Sequence, residues 1–432
     1  MRGTVASGSL TDAVWPDPLP VVNILVVCPH FTPDVAPTGE VMAAIVGGLA
    51  DRGHHVDIVT ALPWYQHHEV EPEWRGSWSR PEATPWGTIT RLHPFPTDKS
   101  NLWARALAFI GFTGLASITS IRRRNGGRPD VVLVMSPPLI LGFAGWVAAK
   151  RWRVPLVFNI QDVFPDVAVE VGAITNRRVI AVARWVERFL YLRSDAVTVL
   201  SDDLRDNLVA KIGDRRPERV EVIPNFVDTG AITPRPRENS YRAEFGLGDR
   251  TVVMYAGNLG YSQSVDLMFD AARALSDDPD VVFVVNGSGS QRESLMERST
   301  GLHNVVWVDL QPRERLAEVL AAADVHCVLL RRGLARSSVP SKLYSILAAG
   351  RPVVASVDIG TEVERTLIEA DAGVAVPPED PAAFVDALRD VVADAGTRER
   401  MGHNGRDWVE RWLSPAAVAE SYEALFQRLR RP

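Results

Sequence analysis

Two stretches of the chain share one pattern. Val22–Cys28 reads VNILVVC and runs into Pro29–Asp34, PHFTPD, while Thr251–Ala256 reads TVVMYA and runs into Gly257–Gly260, GNLG. Each is a short apolar run, typical of a buried parallel strand, followed by a turn-rich loop and a helical pattern. A doubly wound α/β domain begins in this way, and its ligands bind at the carboxyl ends of the strands. Because the pattern starts twice, we predict two such domains facing one cleft.

Strand-like runs alternate with helical patterns through both halves of the chain, as βαβ units require. The predicted strands of the first half are 23–28, 55–60, 88–92, 131–135, 156–160, 196–200 and 220–223. Those of the second half are 252–256, 281–286, 305–308, 325–330, 352–356 and 373–376. Proline-rich residues 224–236 indicate the linker. The sequence therefore predicts an α/β protein with a flexible leader at 1–20, a first domain over 21–228 and a second over 229–432.

The composition limits the class of protein. The 432 residues carry a formal net charge of −6, and no basic nucleic-acid motif is present, so nucleic acid is not expected as a partner. Cys28 and Cys327 lie in apolar runs, which indicates buried thiols in the reducing cytoplasm. No Cys/His cluster has the spacing of a metal site, and the acid pair at Asp278 and Asp280 is interpreted as a turn, so no metal is predicted.

One apolar segment has unusual surroundings. Residues 102–121 are rich in apolar side chains, and Lys99–Arg128 contains six basic residues and no acidic residue. This pattern is typical of an interfacial segment at an anionic membrane. A core helix followed by a solvated basic turn explains the same residues, and both interpretations stay open.

Several local strings, in a fixed order, match one family of proteins. The strings are QDVFPD at Gln161–Asp166, VIPNFVD at Val222–Asp228, AGNLG at Ala256–Gly260, NGSG at Asn286–Gly289, PSKLY at Pro340–Tyr344, AGRPVVA at Ala349–Ala355 and AGVAVPP at Ala372–Pro378. Together they resemble glycosyltransferase family 4, nucleotide-sugar enzymes with the GT-B fold. The branch they are most similar to builds bacterial surface polysaccharides and includes N-acetylfucosamine-type transferases. The resemblance covers about residues 21–430.

The resemblance implies a two-domain enzyme. The second domain would hold a nucleotide-diphosphate sugar and the first the acceptor, with the last helix, at about 415–430, crossing back to the first domain. The sugar would be transferred with retention of configuration, without a metal or cofactor. The basic segment Lys99–Arg128 adds the expectation of a lipid-linked or glycan acceptor at the inner face of the plasma membrane.

The donor site must place positive potential where a diphosphate leaves. Gly257 and Gly260 are predicted to present backbone N–H groups at a helix N-terminus, although an ordinary tight turn is the alternative. The family pattern has an arginine and a lysine in this loop, where the chain has Asn258 and Gln263. We expect Lys342, at the start of a later helix, to replace the missing charge.

Further donor-binding residues are predicted around these positions. Ser341 adjoins Lys342, and Arg336 follows the strand at 325–330, although a solvated loop explains the arginine equally well. The family's two glutamates are replaced by Ser337 and Ser345, so Glu362 is expected to bind a hydroxyl group unless it is only an acid at a helix start.

Three more residues of the second domain complete the predicted donor site. Gly287 and Gly289 would let the backbone approach a ligand closely. Leu310 lies where relatives contact the nucleotide base through backbone groups, so it is assigned by the resemblance.

The first domain supplies the predicted acceptor side. His30 and Glu40 are candidates for orienting the acceptor hydroxyl, with Thr38 and Gly39 in the acceptor loop, although an ordinary polar contact also explains the histidine. Asp162 is the preferred catalytic residue because the family places a His or Asp here against the donor sugar. Two other functions stay open: a nucleotide-sugar 2-epimerase of the same fold, and a non-catalytic transferase-like subunit.

Overall fold

The computed structural model describes residues 20–65, 69–97, 102–122, 127–166, 169, 174–333, 340 and 342–430. Residues 1–19, which make up nearly all of the predicted leader, lie outside that range. Two largely parallel sheets with helices on both faces organise the rest of the chain. The two α/β domains and their arrangement define the GT-B fold class predicted from the sequence.

The first sheet has eight strands within the described residues, in the order β3-β4-β2-β1-β5-β6-β7-β8. They are β1 (Asn23–Val27), β2 (His55–Ala61), β3 (Ser79–Thr84), β4 (Gly87–Leu92), β5 (Val131–Ser136), β6 (Leu156–Ile160), β7 (Ala196–Val199) and β8 (Val220–Val222). Its helices are α1 (Pro37–Asp51), α2 (Leu102–Ile121), α3 (Gly142–Trp152), α4 (Arg177–Arg193) and α5 (Asp202–Ile212). Edge strand β3, which the sequence pattern did not reveal, pairs antiparallel with β4, while the other pairings are parallel.

The second sheet repeats the scheme with six parallel strands within the described residues, in the order β11-β10-β9-β12-β13-β14. They are β9 (Thr251–Asn258), β10 (Val281–Ser288), β11 (Val305–Val308), β12 (Val325–Leu329), β13 (Val353–Ser356) and β14 (Gly373–Val376). The helices are α6 (Ser240–Glu244), α7 (Asp266–Ala274), α8 (Arg292–Arg298), α9 (Leu316–Ala322), α10 (Lys342–Ala348), α11 (Glu362–Ala370), α12 (Pro381–Ala393), α13 (Ala395–Trp412) and α14 (Pro415–Arg430).

The last helix belongs to the first domain by packing. Tyr422 and Phe426 of α14 are buried in the cluster formed by α1 and one face of the first sheet. The Tyr422 hydroxyl accepts a hydrogen bond from Asn159 Nδ2 of β6 at 2.9 Å, and Glu423 accepts one from Arg52 Nε at 2.6 Å. Apolar burial and these buried polar contacts together hold the chain end against the first domain.

The carboxyl ends of the two sheets face each other across a cleft. Glu40, near the start of α1, forms an ion pair with Arg313, just after β11. Asp203, at the start of α5, accepts hydrogen bonds from the Glu362 backbone N–H at 3.0 Å and from Arg365 Nη2 at 3.1 Å. Since all of these residues follow strand ends, the cleft is bordered by the loops that carry ligand sites in doubly wound folds.

Candidate functional site

Lys342 places an amine at the carboxyl end of β9. Its Nζ lies 3.9 Å from the centroid of the Tyr255 ring, and a Cβ atom added to Gly257 would lie 3.2 Å from that Nζ. Within the described residues, no carboxylate forms an ion pair with Lys342. Burial lowers the pKa of this lysine from 10.5 to about 7. An anion entering the cleft would restore the full charge of the amine.

The surroundings of Lys342 fix its position. The Tyr255 hydroxyl donates a hydrogen bond to the Asn258 carbonyl at 2.6 Å, so the ring that faces the amine is held by its own strand. Cys327 is fully buried in β12, where burial raises the pKa of its thiol to about 12. The thiol is therefore neutral at physiological pH and leaves the lysine without a counter-charge.

The glycine-rich turn differs in detail from the prediction. Gly257 and Asn258 continue β9 and pair with Gly287 and Ser288 of β10, and helix α7 does not begin until Asp266. The Gly260 N–H donates to Gln263 Oε1 at 2.9 Å, so this amide is used within the turn. The Gln263 side-chain oxygen therefore stabilises the turn that carries Gly260, and donation by its side-chain NH2 group to a ligand stays a prediction.

Two glycines at the end of β10, Gly287 in the strand and Gly289 just after it, allow a close approach between backbone segments. A Cβ atom on Gly287 would lie 2.0 Å from the Gly257 carbonyl oxygen, and one on Gly289 would lie 2.3 Å from the Leu259 carbonyl oxygen. At both positions the space that a side chain would fill is thus occupied by backbone of the same domain, and the close approach of a ligand to this backbone stays a prediction. Glycine is required here because the ends of β9 and β10 converge beneath the cleft.

The end of β11 carries an exposed apolar residue. Leu310 is 56% exposed, directly after Asp309, whose carboxylate pairs with Arg292 at 2.6 Å. Tyr261, in the turn after β9, is also strongly exposed. These side chains lie at the carboxyl edge of the second sheet, where the ring face of a nucleotide base can contact them.

Glu362 belongs to the contact between domains. Its carboxylate accepts a hydrogen bond from Arg365 at 3.1 Å, and the same arginine binds Asp203 of the first domain. Burial raises the pKa of Glu362, and the nearby Arg365 partly offsets this shift. A hydroxyl-binding role would have to coexist with this ion pair, which the sequence pattern did not reveal.

The loop after β1 forms a positioned histidine. His30 Nδ1 lies 2.7 Å from Asp34 Oδ2, and the other oxygen of this buried carboxylate accepts the Tyr65 backbone N–H at 3.1 Å. The His30 ring stacks on Trp64 with centroids 5.7 Å apart. Asp34, which the sequence analysis missed, fixes the orientation of the ring. Its position four residues after His30 was the available signal.

The start of α1 packs directly on that loop. A Cβ atom on Gly39 would lie 3.1 Å from the His30 Cβ, so glycine lets the helix approach the histidine. Thr38 is half-buried beside it. Arg313 of the second domain forms an ion pair with Glu40 and donates a hydrogen bond to its carboxylate. This hydrogen bond raises the pKa of the arginine. The structure therefore places the four predicted residues His30, Thr38, Gly39 and Glu40 together and adds Arg313.

Asp162 lies at the carboxyl end of β6. Its side chain is exposed to the cleft, yet the surrounding protein removes enough water to raise the pKa of the carboxyl. The preceding residue, Gln161, is buried. Its Nε2 donates a hydrogen bond to Asn159 Oδ1 at 2.7 Å, and its Oε1 accepts one from Asn225 Nδ2 at 2.8 Å. Because Asn225 lies just after β8, in the segment leading to the second domain, this network ties the Asp162 loop to the connection between the domains.

Several predicted residues lie outside this site or outside the part of the chain that the structure describes. Arg336 and Ser341 lie outside the described residues, as do Lys99, Arg123 and Arg124 of the basic segment. Asp278 accepts the Asp280 backbone N–H at 3.0 Å, as a turn requires. Among the described residues, three or more metal-binding side chains do not gather at any one place.

Comparisons with known proteins identify the class of this protein. Residues 38–225 match the glycosyl transferase 4-like domain, and residues 237–408 match the glycosyl transferases group 1 domain. The chain belongs to glycosyltransferase family 4.

Individual proteins are similar to the chain in sequence or in fold. The chain is 27% identical to WcaI of Escherichia coli, named for glycosyl transfer in colanic acid biosynthesis, over 93% of this chain and 98% of that protein. Sucrose-phosphate synthase from Thermosynechococcus elongatus superposes with a TM-score of 0.69 at 19% identity, covering 94% and 99% of the two chains. HepE of Anabaena in complex with UDP superposes with a TM-score of 0.67 at 14% identity, covering 94% and 100%.

Proposed function

We propose that this glycosyltransferase takes a nucleotide-diphosphate sugar as donor and transfers the sugar, with retention of configuration, to a lipid-linked or glycan acceptor in cell-surface polysaccharide synthesis. The observation that carries the proposal is the amine of Lys342, held at the cleft edge of β9 without a carboxylate partner among the described residues. The UDP in the HepE structure, a protein of the same fold, supports a nucleotide donor.

The leaving diphosphate is the group that Lys342 would stabilise. Negative charge grows on the phosphate oxygens as the sugar–phosphate bond breaks, and a partly desolvated ammonium group is most effective against such charge. The amine lies beside Gly257, where a side chain would crowd it, so phosphate oxygens can approach both the backbone and the amine. No metal ion is part of this proposal, and we expect activity that is insensitive to chelators.

The first domain would present the acceptor to the sugar. In this proposal Asp162 contacts the donor sugar from the end of β6, while His30, oriented by Asp34, binds the acceptor hydroxyl. The donor phosphate takes the proton of that hydroxyl as the new glycosidic bond forms. Glu40 keeps the acceptor loop in place through its ion pair with Arg313.

The proposed acceptor places the protein at the inner face of the plasma membrane. Helix α2 contributes to this part of the proposal because its window Ala104–Ile121 is long and apolar enough to cross a membrane, by length and composition only. Its buried side chains Ala108, Phe112 and Ala116 pack into the first domain. Peripheral contact of the opposite face with lipid is therefore compatible with the fold.

Calorimetric titration with nucleoside diphosphates and their sugar derivatives tests the proposal. We expect one nucleoside diphosphate to bind with a submillimolar dissociation constant, and nuclear magnetic resonance of the product made from its sugar derivative to show the anomeric configuration of the donor. If no nucleotide binds at millimolar concentration, the proposal fails and a non-catalytic subunit becomes the better interpretation. If the donor sugar is epimerised at C2 without an acceptor, the epimerase interpretation replaces it.

A further inference from the structure

The outward face of α4 is apolar. Trp185 is 63% exposed and Val182 is similarly exposed one turn earlier, while Glu187, Leu190 and Tyr191 point into the domain. An exposed indole and aliphatic side chains on one stripe of a helix mark a surface that is made to be covered. This helix lies far in sequence from the basic segment Lys99–Arg128.

Arginines surround this apolar stripe. The helix contains Arg177, Arg178, Arg184, Arg188 and Arg193. Its one acid, Glu187, is buried and bound to Lys211 Nζ at 2.6 Å. The exposed surface of α4 is therefore apolar at its centre and positive at its sides, which is the pattern of an interfacial helix at an anionic bilayer.

The apolar surface continues onto neighbouring helices. Trp185 stacks on Phe189 with centroids 5.6 Å apart, and Phe189 contacts Trp146 of α3 at 5.4 Å. Helix α3 packs on α2, where Trp152 Nε1 donates to the Ser120 carbonyl at 2.9 Å. On its outer side, α2 exposes Leu107, Ile110 and Ile118. We call the five exposed residues Leu107, Ile110, Ile118, Val182 and Trp185 the outer helical face.

A cationic groove of about 640 Å³ opens at the ends of α3 and α4. Its lining includes Lys150, Arg153, Arg193, Arg216 and Arg219, against one acid, Asp195. That acid accepts the Leu156 backbone N–H at 3.0 Å and lies 3.6 Å from Arg219. The groove lies at the amino edge of the first sheet, away from the cleft, so its positive charge is not explained by the donor.

We propose that the outer helical face and the cationic groove dock the protein on an anionic lipid bilayer, with Trp185 and Val182 entering the headgroup boundary and the arginines binding lipid phosphates. The excess of positive over negative side chains is complementary to the negative surface potential of an anionic lipid leaflet. This inference rests on the proposed lipid-linked acceptor and locates the membrane contact on α4 as well as α2.

Sedimentation with vesicles tests the proposal on the full chain. We expect binding to vesicles of phosphatidylcholine with 25% phosphatidylglycerol, and at least tenfold weaker binding to pure phosphatidylcholine. The change Trp185→Ala should weaken partitioning about tenfold. The double change Arg178→Glu and Arg184→Glu should weaken it on the order of tenfold or more.

Matched variants in the second domain serve as controls. Trp412 is also strongly exposed, and Trp412→Ala or Arg389→Glu with Arg411→Glu should leave vesicle binding within twofold of the wild type. Calorimetric binding of the nucleoside diphosphate should be unchanged in every variant, which separates this inference from the donor proposal. Equal vesicle binding by Trp185→Ala and wild type would overturn it. So would a lipid-free dimer that Trp185→Ala dissociates, since the face would then join two copies.

Discussion

The Lys342 amine lies 3.9 Å from the centroid of the Tyr255 ring, on the edge of the second sheet that faces the cleft. The ring stabilises a positive charge only partly, and no carboxylate among the described residues completes the compensation. Burial therefore holds the pKa of Lys342 near 7, so only part of the amine is protonated at neutral pH. An anionic ligand that binds beside it raises this pKa and so increases the protonated fraction.

Removing the amine should separate phosphate binding from nucleoside binding. We expect Lys342→Ala to weaken the nucleoside diphosphate by about 10- to 100-fold, the effect of one charge-assisted contact, and the free nucleoside by less than twofold. Calorimetry measures both constants. Lys150→Ala, a lysine outside the cleft, is the matched control. An equal loss for nucleoside and diphosphate in Lys342→Ala would contradict the phosphate role.

Donor binding should depend on pH in a direction that the lysine sets. Below pH 7 the free protein already carries the ammonium form, whereas above pH 7 binding must take up a proton. Between pH 7 and 8.5, where the diphosphate is fully ionised, affinity should therefore fall by up to about tenfold per pH unit. Titrations in buffers of different ionisation enthalpy count the proton. Lys342→Met should bind more weakly and show neither the uptake nor the slope.

A methyl group at Gly257 should disturb the amine directly. The residue has φ of +137° and an added Cβ would lie 3.2 Å from Lys342 Nζ, so Gly257→Ala combines backbone strain with displacement of the lysine. We expect a loss of about 1–3 kcal/mol in stability and at least tenfold weaker diphosphate binding. Gly246→Ala, at φ of +63° with open space around it, should lower stability and leave binding unchanged.

The ion pair between Glu40 and Arg313 should act on turnover more than on stability. The Arg313 side chain is largely exposed and that of Glu40 is 39% exposed, so breaking the pair should change the free energy of unfolding by less than about 1 kcal/mol. We expect Arg313→Glu, which places two acids together across the cleft, to lower kcat/KM roughly tenfold. The exchange Glu40→Arg with Arg313→Glu should recover part of the activity. No recovery would show that one of the residues acts alone.

Asp34 should act through His30. We expect Asp34→Asn to lower kcat/KM by about 10- to 100-fold, because the carboxylate that orients the ring is lost, while donor affinity stays within twofold. A parallel loss of donor affinity would indicate a structural role for the carboxylate instead.

The repeated strand–loop–helix pattern was enough to predict two parallel sheets, because apolar runs at Val22–Cys28 and Thr251–Ala256 are buried wherever they occur in a doubly wound domain. The hairpin of β3 and β4 was not predictable in the same way. Strand β3 is an exposed edge strand with the sequence SRPEAT, so it lacks the apolar signal on which the prediction depends.

The candidate site likewise contains residues that the sequence predicts and partners that only the structure shows. The strings around Lys342, Gly257 and Asp162 identify residues that follow strand ends, and topology brings strand ends to one cleft. The partners of these residues come from distant parts of the chain: Arg313 for Glu40, and Asp203 for Glu362 and Arg365. Contacts between the two domains leave no periodic trace in either segment.

The sequence by itself determined the two sheets and the side-chain types that line the cleft, because burial periodicity and local turn chemistry depend on consecutive residues. The family followed from the resemblance of its ordered strings, not from periodicity. Only the tertiary structure decided that Gly287 and Gly289 serve strand convergence, that Gln263 holds the Gly260 amide, and that Lys342 stands without a counter-ion among the described residues. Those outcomes depend on distances between elements far apart in the chain, and only the packing of both domains sets such distances.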